Sequence, residues 1–203
     1  MKIICIGRNY AKHIKELSSP LPSNPVFFLK PDTSLLIRNR PFYLPDFSKE
    51  IHYEVELVIK ICKVGKNIQK KYAHTYFDEI GIGLDFTARD LQNISKQQGL
   101  PWLIAKGFDN AAPIGKFLPK TQFPVLENIN FHLDLNGTTV QQANSNEMIF
   151  SFDDIISYIS RFITLKTGDL IFTGTPAGVG QVRQGDLLEA YIENEWLLKC
   201  DVK

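Results

Sequence analysis

Two glutamates, Glu54 and Glu56, interrupt an otherwise apolar stretch that runs from Ile51 to Ile61. The odd positions Ile51, Tyr53, Val55, Leu57, Ile59 and Ile61 are all apolar or aromatic, while the even ones include His52, Glu54, Glu56 and Lys60. A period of two predicts a strand, in which residues two apart share a face. The two carboxylates then project side by side and repel, and a cation would relieve that repulsion. A hard divalent ion, which takes oxygen ligands, fits this need. The same window also reads as a half-exposed strand with a solvated polar face.

Three further constellations bear on the choice. Asp85 follows Ile80-Gly81-Ile82-Gly83-Leu84, where a strand hands over to a helix, and reads either as a helix-entry residue or as a third acidic ligand. Glu54, Glu56 and Asp85 together make an all-oxygen trio that suits Mg²⁺ or Mn²⁺ better than Zn²⁺. No HxxxH motif and no cysteine cluster offers a zinc site. His13 and Glu16 stand three apart on an expected helix. There a carboxylate can fix the imidazole tautomer and raise its basicity, as drawing a proton from water requires, although surface His/Glu pairs also take this spacing. Lys106 ends the apolar run Leu103-Ile104-Ala105. Its ammonium is either a surface group on a buried stem or, beside a bound anion, a stabiliser of developing negative charge.

A glycine-rich loop, Thr173-Gly174-Thr175-Pro176-Ala177-Gly178-Val179-Gly180, directly follows the apolar run Leu170–Phe172. It is neither a P-loop nor GxGxxG. It reads as a tight turn, or as a nest in which loop amides and the Thr175 hydroxyl bind a small carboxylate.

The elements that must position these groups are mostly strands. Strands are predicted at 3–7, 26–29, 51–61, 80–85 and 170–172, with a hairpin of 131–135 and 138–142 about Asn136-Gly137. Helices are predicted at 9–17, 70–78, 87–96 (Thr87 as cap, Asp90 three residues on) and 152–164 (Ser151 as cap). Prolines 20, 22, 25, 31, 41 and 45 keep 18–45 irregular or at a sheet edge, and the 10–30 stretch is a candidate lid. Strands and helices do not alternate regularly. The expected fold is therefore α+β with mixed sheets, in one catalytic domain over 1–203.

The composition is that of an ordinary globular chain: 203 residues, 44% hydrophobic, 22% charged and a formal net charge of +1. That balance gives no bulk attraction to nucleic acid or anionic membrane, and no apolar run approaches a membrane span. Cys5, Cys62 and Cys200 are odd in number and widely spaced, which suggests reduced thiols in a cytoplasmic setting. Cys5 and Cys62 are expected in the core.

Read in order, several segments resemble the fumarylacetoacetate hydrolase family, in its short single-domain branch. They include Gly7-Arg8-Asn9-Tyr10-Ala11-Lys12-His13, Phe28-Leu29-Lys30-Pro31, Tyr53-Glu54-Val55-Glu56-Leu57 and Leu84-Asp85-Phe86-Thr87-Ala88-Arg89-Asp90. Gly99-Leu100-Pro101-Trp102, Ala105-Lys106, Met148-Ile149-Phe150, Gly168-Asp169 and the loop 173–180 complete the set. Each is weak alone; their joint order over residues 7–180 makes the resemblance specific, and it is strongest to acylpyruvase and oxaloacetate decarboxylase members. The resemblance implies a strand-rich β-roll and a homodimer. It further implies Glu54, Glu56 and Asp85 as Mg²⁺/Mn²⁺ ligands, His13 and Glu16 as a water-activating dyad on a lid, and Lys106 as the active-site lysine. Arg8, Gln92 and Thr175 match positions near a bound 2-oxo acid. Gly107 stands where many relatives have Ser after the lysine. The shared core supports C–C hydrolysis, decarboxylation and isomerisation of 2-oxo acids alike.

Overall fold

The computed structural model describes residues 1–17 and 20–203. Its strands are β1 (Ile3–Gly7), β2 (Val26–Lys30), β3 (Leu35–Leu36), β4 (Ile51–Tyr53), β5 (Val55–Ile61), β6 (Phe77–Leu84) and β7 (Thr87–Ala88). They continue with β8 (Ala112–Pro119), β9 (Asn130–Leu135), β10 (Thr138–Asn144), β11 (Leu170–Phe172), β12 (Gly180–Gln181), β13 (Leu187–Ile192) and β14 (Glu195–Asp201). The helices are short: α1 (Ala11–Glu16), α2 (Lys70–Ala73), α3 (Arg89–Gln98), α4 (Leu103–Lys106) and α5 (Phe152–Ser160). Seven strands form one sheet in the order β2-β1-β11-β5-β6-β8-β3, and four form another, β10-β9-β13-β14. A small third sheet runs β12-β4-β7. The large sheet is mixed, with β1–β11 and β3–β8 parallel and the other pairs antiparallel. This is the expected strand-rich α+β architecture.

Alternation along β5 explains why the large sheet is buried on both faces. Val55, Leu57, Ile59 and Ile61 enter the main core with Ile4 and Ile6 of β1, while Val58 joins Ile3, Cys5 and Phe172 in a smaller core behind it. Helix α5 covers the main core with Phe152, Ile155, Ile156 and Ile159. Ser151 caps it in a reciprocal box: Ser151 Oγ accepts from the Asp154 N–H, and the Asp154 carboxylate accepts from the Ser151 N–H at 3.2 Å. The β9–β10 hairpin turns at Asn136 and Gly137, both at positive φ, as a two-residue loop requires.

Several predicted elements differ in extent. The 51–61 run is two strands broken at Glu54, because Gln141 Oε1 takes the Val55 N–H (2.9 Å) and the Asp85 N–H goes to the Glu54 carbonyl (2.8 Å). The two pieces lie in different sheets. The 70–78 helix stops at Ala73, and β6 starts at Phe77, whose ring is buried against Phe152. Thr87 does not cap α3. It lies in β7 with its hydroxyl donating to the Asp85 carbonyl, and Asp90 instead ties down Ser48 and Lys49. Helix α5 ends at Ser160, whose hydroxyl donates to Ser157 O and accepts from the Ile68 N–H. Cys5 is buried as expected, but Cys62 is half-exposed; Cys200 takes the second core place. Of the 10–30 stretch, Val26–Lys30 pairs with β1, and Ser18 and Ser19 lie outside the described residues. Among the described residues, no helix is long and apolar enough to cross a membrane.

Candidate active site

The β5–β6 register builds the acidic centre. Glu56 lies opposite Gly83, and Glu54 and Asp85 sit one residue beyond the paired ends. Gly83 is required there, because a Cβ would come within 2.6 Å of the Phe172 ring. The three carboxylates are buried, and one oxygen from each falls within 4.8 Å of the others.

Three buried cations face them. Lys106, at the end of α4, bridges Glu54 Oε2 and Asp85 Oδ2 at 2.7 Å each. Arg89, the first residue of α3, donates to Glu54 Oε1 at 2.5 Å and to Gln92 Oε1 at 2.6 Å. Lys30, the last residue of β2, places its ammonium 2.7 Å from Asp85 Oδ1 and donates to the carbonyls of Phe86, Ala111 and Lys106. The cations do not serve the carboxylates equally. Burial opposes ionisation of Glu54, but Lys106, Arg89 and His13 outweigh it and hold its carboxyl well below the usual range. Burial, then the charges of Asp85 and Glu54, push the Glu56 carboxyl well up, and the Gly174 N–H and Lys106 offset only part of that. Burial would lower the Lys106 pKa, yet Asp85 and Glu54 raise it.

The buried cations are thus shared unevenly among the three carboxylates. Among the described residues, Glu56 has no ion-pair partner, and Asp85 Oδ1 receives no directed hydrogen bond despite the nearby Lys30. Three buried oxygen donors, one of them in no ion pair among the described residues, fit a hard divalent cation.

The dyad closes over this centre from α1. His13 is buried and its Nδ1 lies 3.0 Å from Glu16 Oε2, while Glu16 Oε1 accepts from the Gly178 N–H at 3.1 Å. With Nδ1 donating to the carboxylate, Nε2 is the free base. Asn9 fixes the start of α1: its amide donates to Thr173 O and Phe150 O and accepts from the Phe150 N–H. The glycine loop thus serves the protein's own acids. Gly174, at φ +103, donates its N–H to Glu56 Oε2 at 2.7 Å, so the carboxylate held by that amide is a ligand candidate and not a substrate. The Thr175 hydroxyl accepts from Gln141 Nε2 at 2.9 Å.

All nine residues singled out in the sequence converge. Arg8, His13, Glu54, Glu56, Asp85, Gln92, Lys106 and Thr175 line one cleft, and Glu16 stands behind His13. Lys30 and Arg89 were missed as members of the charge cluster, although both fall inside motifs quoted above. Arg89 had a signal, standing three residues before Gln92 on a helix. Lys30 had none, because only the fold brings β2 beside Asp85.

Comparison with known proteins agrees with this geometry. Residues 2–203 match the family described as fumarylacetoacetate (FAA) hydrolase C-terminal. An oxaloacetate decarboxylase, mitochondrial, from Dictyostelium discoideum is 45% identical over 94% of this chain and 88% of its own length. An oxaloacetate tautomerase, mitochondrial, from Mus musculus is 42% identical over 99% of this chain and 91% of its own. The crystal structure of fumarylpyruvate hydrolase from Pseudomonas aeruginosa, in complex with Mn²⁺ and pyruvate, superposes with a TM-score of 0.94. It is 36% identical, with 100% of this chain and 89% of that one covered. A match over nearly the full length, in sequence and in fold, places the chain in the fumarylacetoacetate hydrolase family.

Proposed function

We propose that the chain is a Mg²⁺- or Mn²⁺-dependent enzyme of short 2-oxo acids that works through an enolate at C3. The observation that carries this reading is a single base, His13 Nε2, freed by the Glu16 contact and lining the same cleft as three acids and Lys106. When bound by Glu54, Glu56 and Asp85, the ion supplies Lewis acidity at the 2-oxo group. Gln92 and Thr175 orient the 2-oxo acid, with Arg89 holding the Gln92 oxygen.

In hydrolysis of a 2,4-dioxo acid, His13 takes a proton from water and the hydroxide adds to the distal carbonyl. The bond between C3 and C4 breaks, giving a carboxylic acid and the pyruvate enolate. Lys106 stabilises that enolate, and protonation at C3 yields pyruvate. A second reading uses the same cleft without water: keto–enol exchange of oxaloacetate, in which His13 moves the C3 proton, or CO₂ loss, which breaks the C3–C4 bond and leaves the pyruvate enolate for Lys106 to stabilise. The relatives from Mus musculus and Dictyostelium discoideum support it.

Incubation with acetylpyruvate, and separately with oxaloacetate, in Mg²⁺ or Mn²⁺ with EDTA controls tests both. Acetate plus pyruvate marks hydrolysis; pyruvate plus CO₂, or accelerated decay of the enol absorbance, marks the second. No EDTA-sensitive turnover of either substrate would refute the assignment. The homodimer implied by the family is part of the proposal and is checked by analytical ultracentrifugation. So is the cytoplasmic setting, which rests on three free cysteines; the mitochondrial relatives point to another compartment, and cell fractionation decides.

A further inference from the structure

Two cations of the cleft take no part in the charge cluster. Arg8 and Lys96 both line it, and among the described residues neither is in an ion pair with a carboxylate. Arg89, Gln92 and Lys96 succeed one another at spacings of three and four along α3, so all three share one face of the helix. Although Lys96 is exposed, partial desolvation and then the charges of Arg89, Arg8 and Lys106 lower its pKa, with Glu54 opposing. Arg8 adopts φ +63, a conformation rare for a side chain other than glycine, asparagine or aspartate. The strain sits where β1 ends and leaves the guanidinium at the cleft. Trp102 also lines the cleft, with the Lys96 ammonium 5.7 Å from its ring centroid.

We infer that Arg8 and Lys96 form a second anion subsite that reads a carboxylate at the far end of the substrate, C4 of a four-carbon acid. This rests on the 2-oxo acid reading above and narrows it to dianionic substrates. The three buried acids equal Lys30, Arg89 and Lys106 in formal charge, and those three cations are already engaged by Glu54 and Asp85. The charge of Arg8 and Lys96 is therefore surplus and attracts a further anion. A neutral acyl chain leaves both cations facing the cleft unpaired; a distal carboxylate pairs them.

The test compares two probes that cannot enolise at C3, 3,3-difluorooxaloacetate (dianion) and 3,3-difluoro-2-oxobutanoate (monoanion). Affinities are measured by calorimetry in Mg²⁺ at fixed ionic strength. The expected result is tighter binding of the dianion by the wild type, a preference that falls about fivefold in Lys96→Gln and again in Arg8→Gln. Lys96→Arg should restore it, and raising the salt should weaken it. Lys96→Gln changes a surface position of a helix to a residue of similar propensity, so folding is not at issue. A dianion-to-monoanion ratio that stays at the wild-type value in both variants overturns the subsite, as does equal loss of both probes. Turnover separates the two readings. A wild type that converts neither acetylpyruvate nor oxaloacetate, yet keeps the Lys96-dependent preference, would sink the proposed function and leave the subsite standing.

Discussion

Two lysine–carboxylate contacts in this molecule have almost the same length and opposite meaning. In the cleft, Lys106 meets Glu54 and Asp85 at 2.7 Å, with side-chain exposures of 4, 6 and 2%. At the start of α5, Lys70 meets Asp154 at 2.6 Å, with exposures of 63 and 32%. The difference is water. Burial of six charges carries a large desolvation cost that mutual attraction repays only partly. Solvent screens the α5 pair, so its contribution is small and its loss is cheap. A fold that keeps the costly cluster does so for what the charges do, whereas the pair at α5 serves only the helix end. The molecule therefore separates function from stability by depth, and the separation can be attacked at either end.

The largest effect is expected from Glu56→Gln. It removes one ligand charge and keeps an acceptor for the Gly174 N–H. Turnover should fall on the order of 10³-fold as several kcal/mol of Lewis-acid stabilisation is lost, and Mg²⁺ binding by calorimetry should weaken in parallel. Because Glu56 is the carboxylate without a cation, thermal stability in EDTA should be no lower than wild type. A large drop there would mean that the cluster stabilises the fold after all.

Lys106→Met comes next. Loss of charge stabilisation at the enolate should slow turnover by roughly 10²–10³-fold. Glu54 and Asp85 keep only Arg89 and Lys30, so chemical denaturation should also show a cost of about 3 kcal/mol. Removing one partner from a buried cluster should hurt far more than removing a surface partner such as Lys70. Equal losses would abolish the contrast. His13→Ala should slow C–C hydrolysis by about 10²-fold while affecting decarboxylation much less, because only hydrolysis needs activated water. Product ratios from the two substrates measure this directly.

How far the sequence carried these conclusions differs between the two regions as well. The α5 end was legible because capping is local: Ser151 and Asp154 are three residues apart and satisfy each other's backbone. Period-two patterning exposed β5 and its glutamates for the same reason. Pattern did not show that Glu54 lies at a strand break, since Gln141, eighty-six residues from Val55, supplies the competing hydrogen bond to the Val55 N–H. Nor could spacing place Lys30 on Asp85 or Asn9 on Thr173, because those contacts follow from sheet order. The acidic trio was reachable from residue types, but its charge balance was not. The counter-ions come from β2, α3 and α4, and only the resemblance linked those segments in advance.

The smallest effect tests the shallow side of the comparison. Burial is the largest single influence on Asp154 and opposes its ionisation, but the hydrogen bonds from Lys70 and Ser151 and the Lys70 charge together outweigh it and depress its pKa below the ordinary 3.8. A carboxyl whose folded pKa is depressed adds stability above its unfolded pKa and loses it as pH falls through the folded value. Asp154→Asn should therefore cost at most about 1 kcal/mol near neutral pH, given the exposure of the pair. The gap in melting temperature between wild type and variant should close below about pH 4. Turnover should remain within about twofold, because α5 faces the core and not the cleft. A gap that persists once the pH is well below the folded pKa would assign the effect to packing at the helix start. A drop in turnover would show that the two regions, similar in contact length and different in depth, are coupled through the core between them.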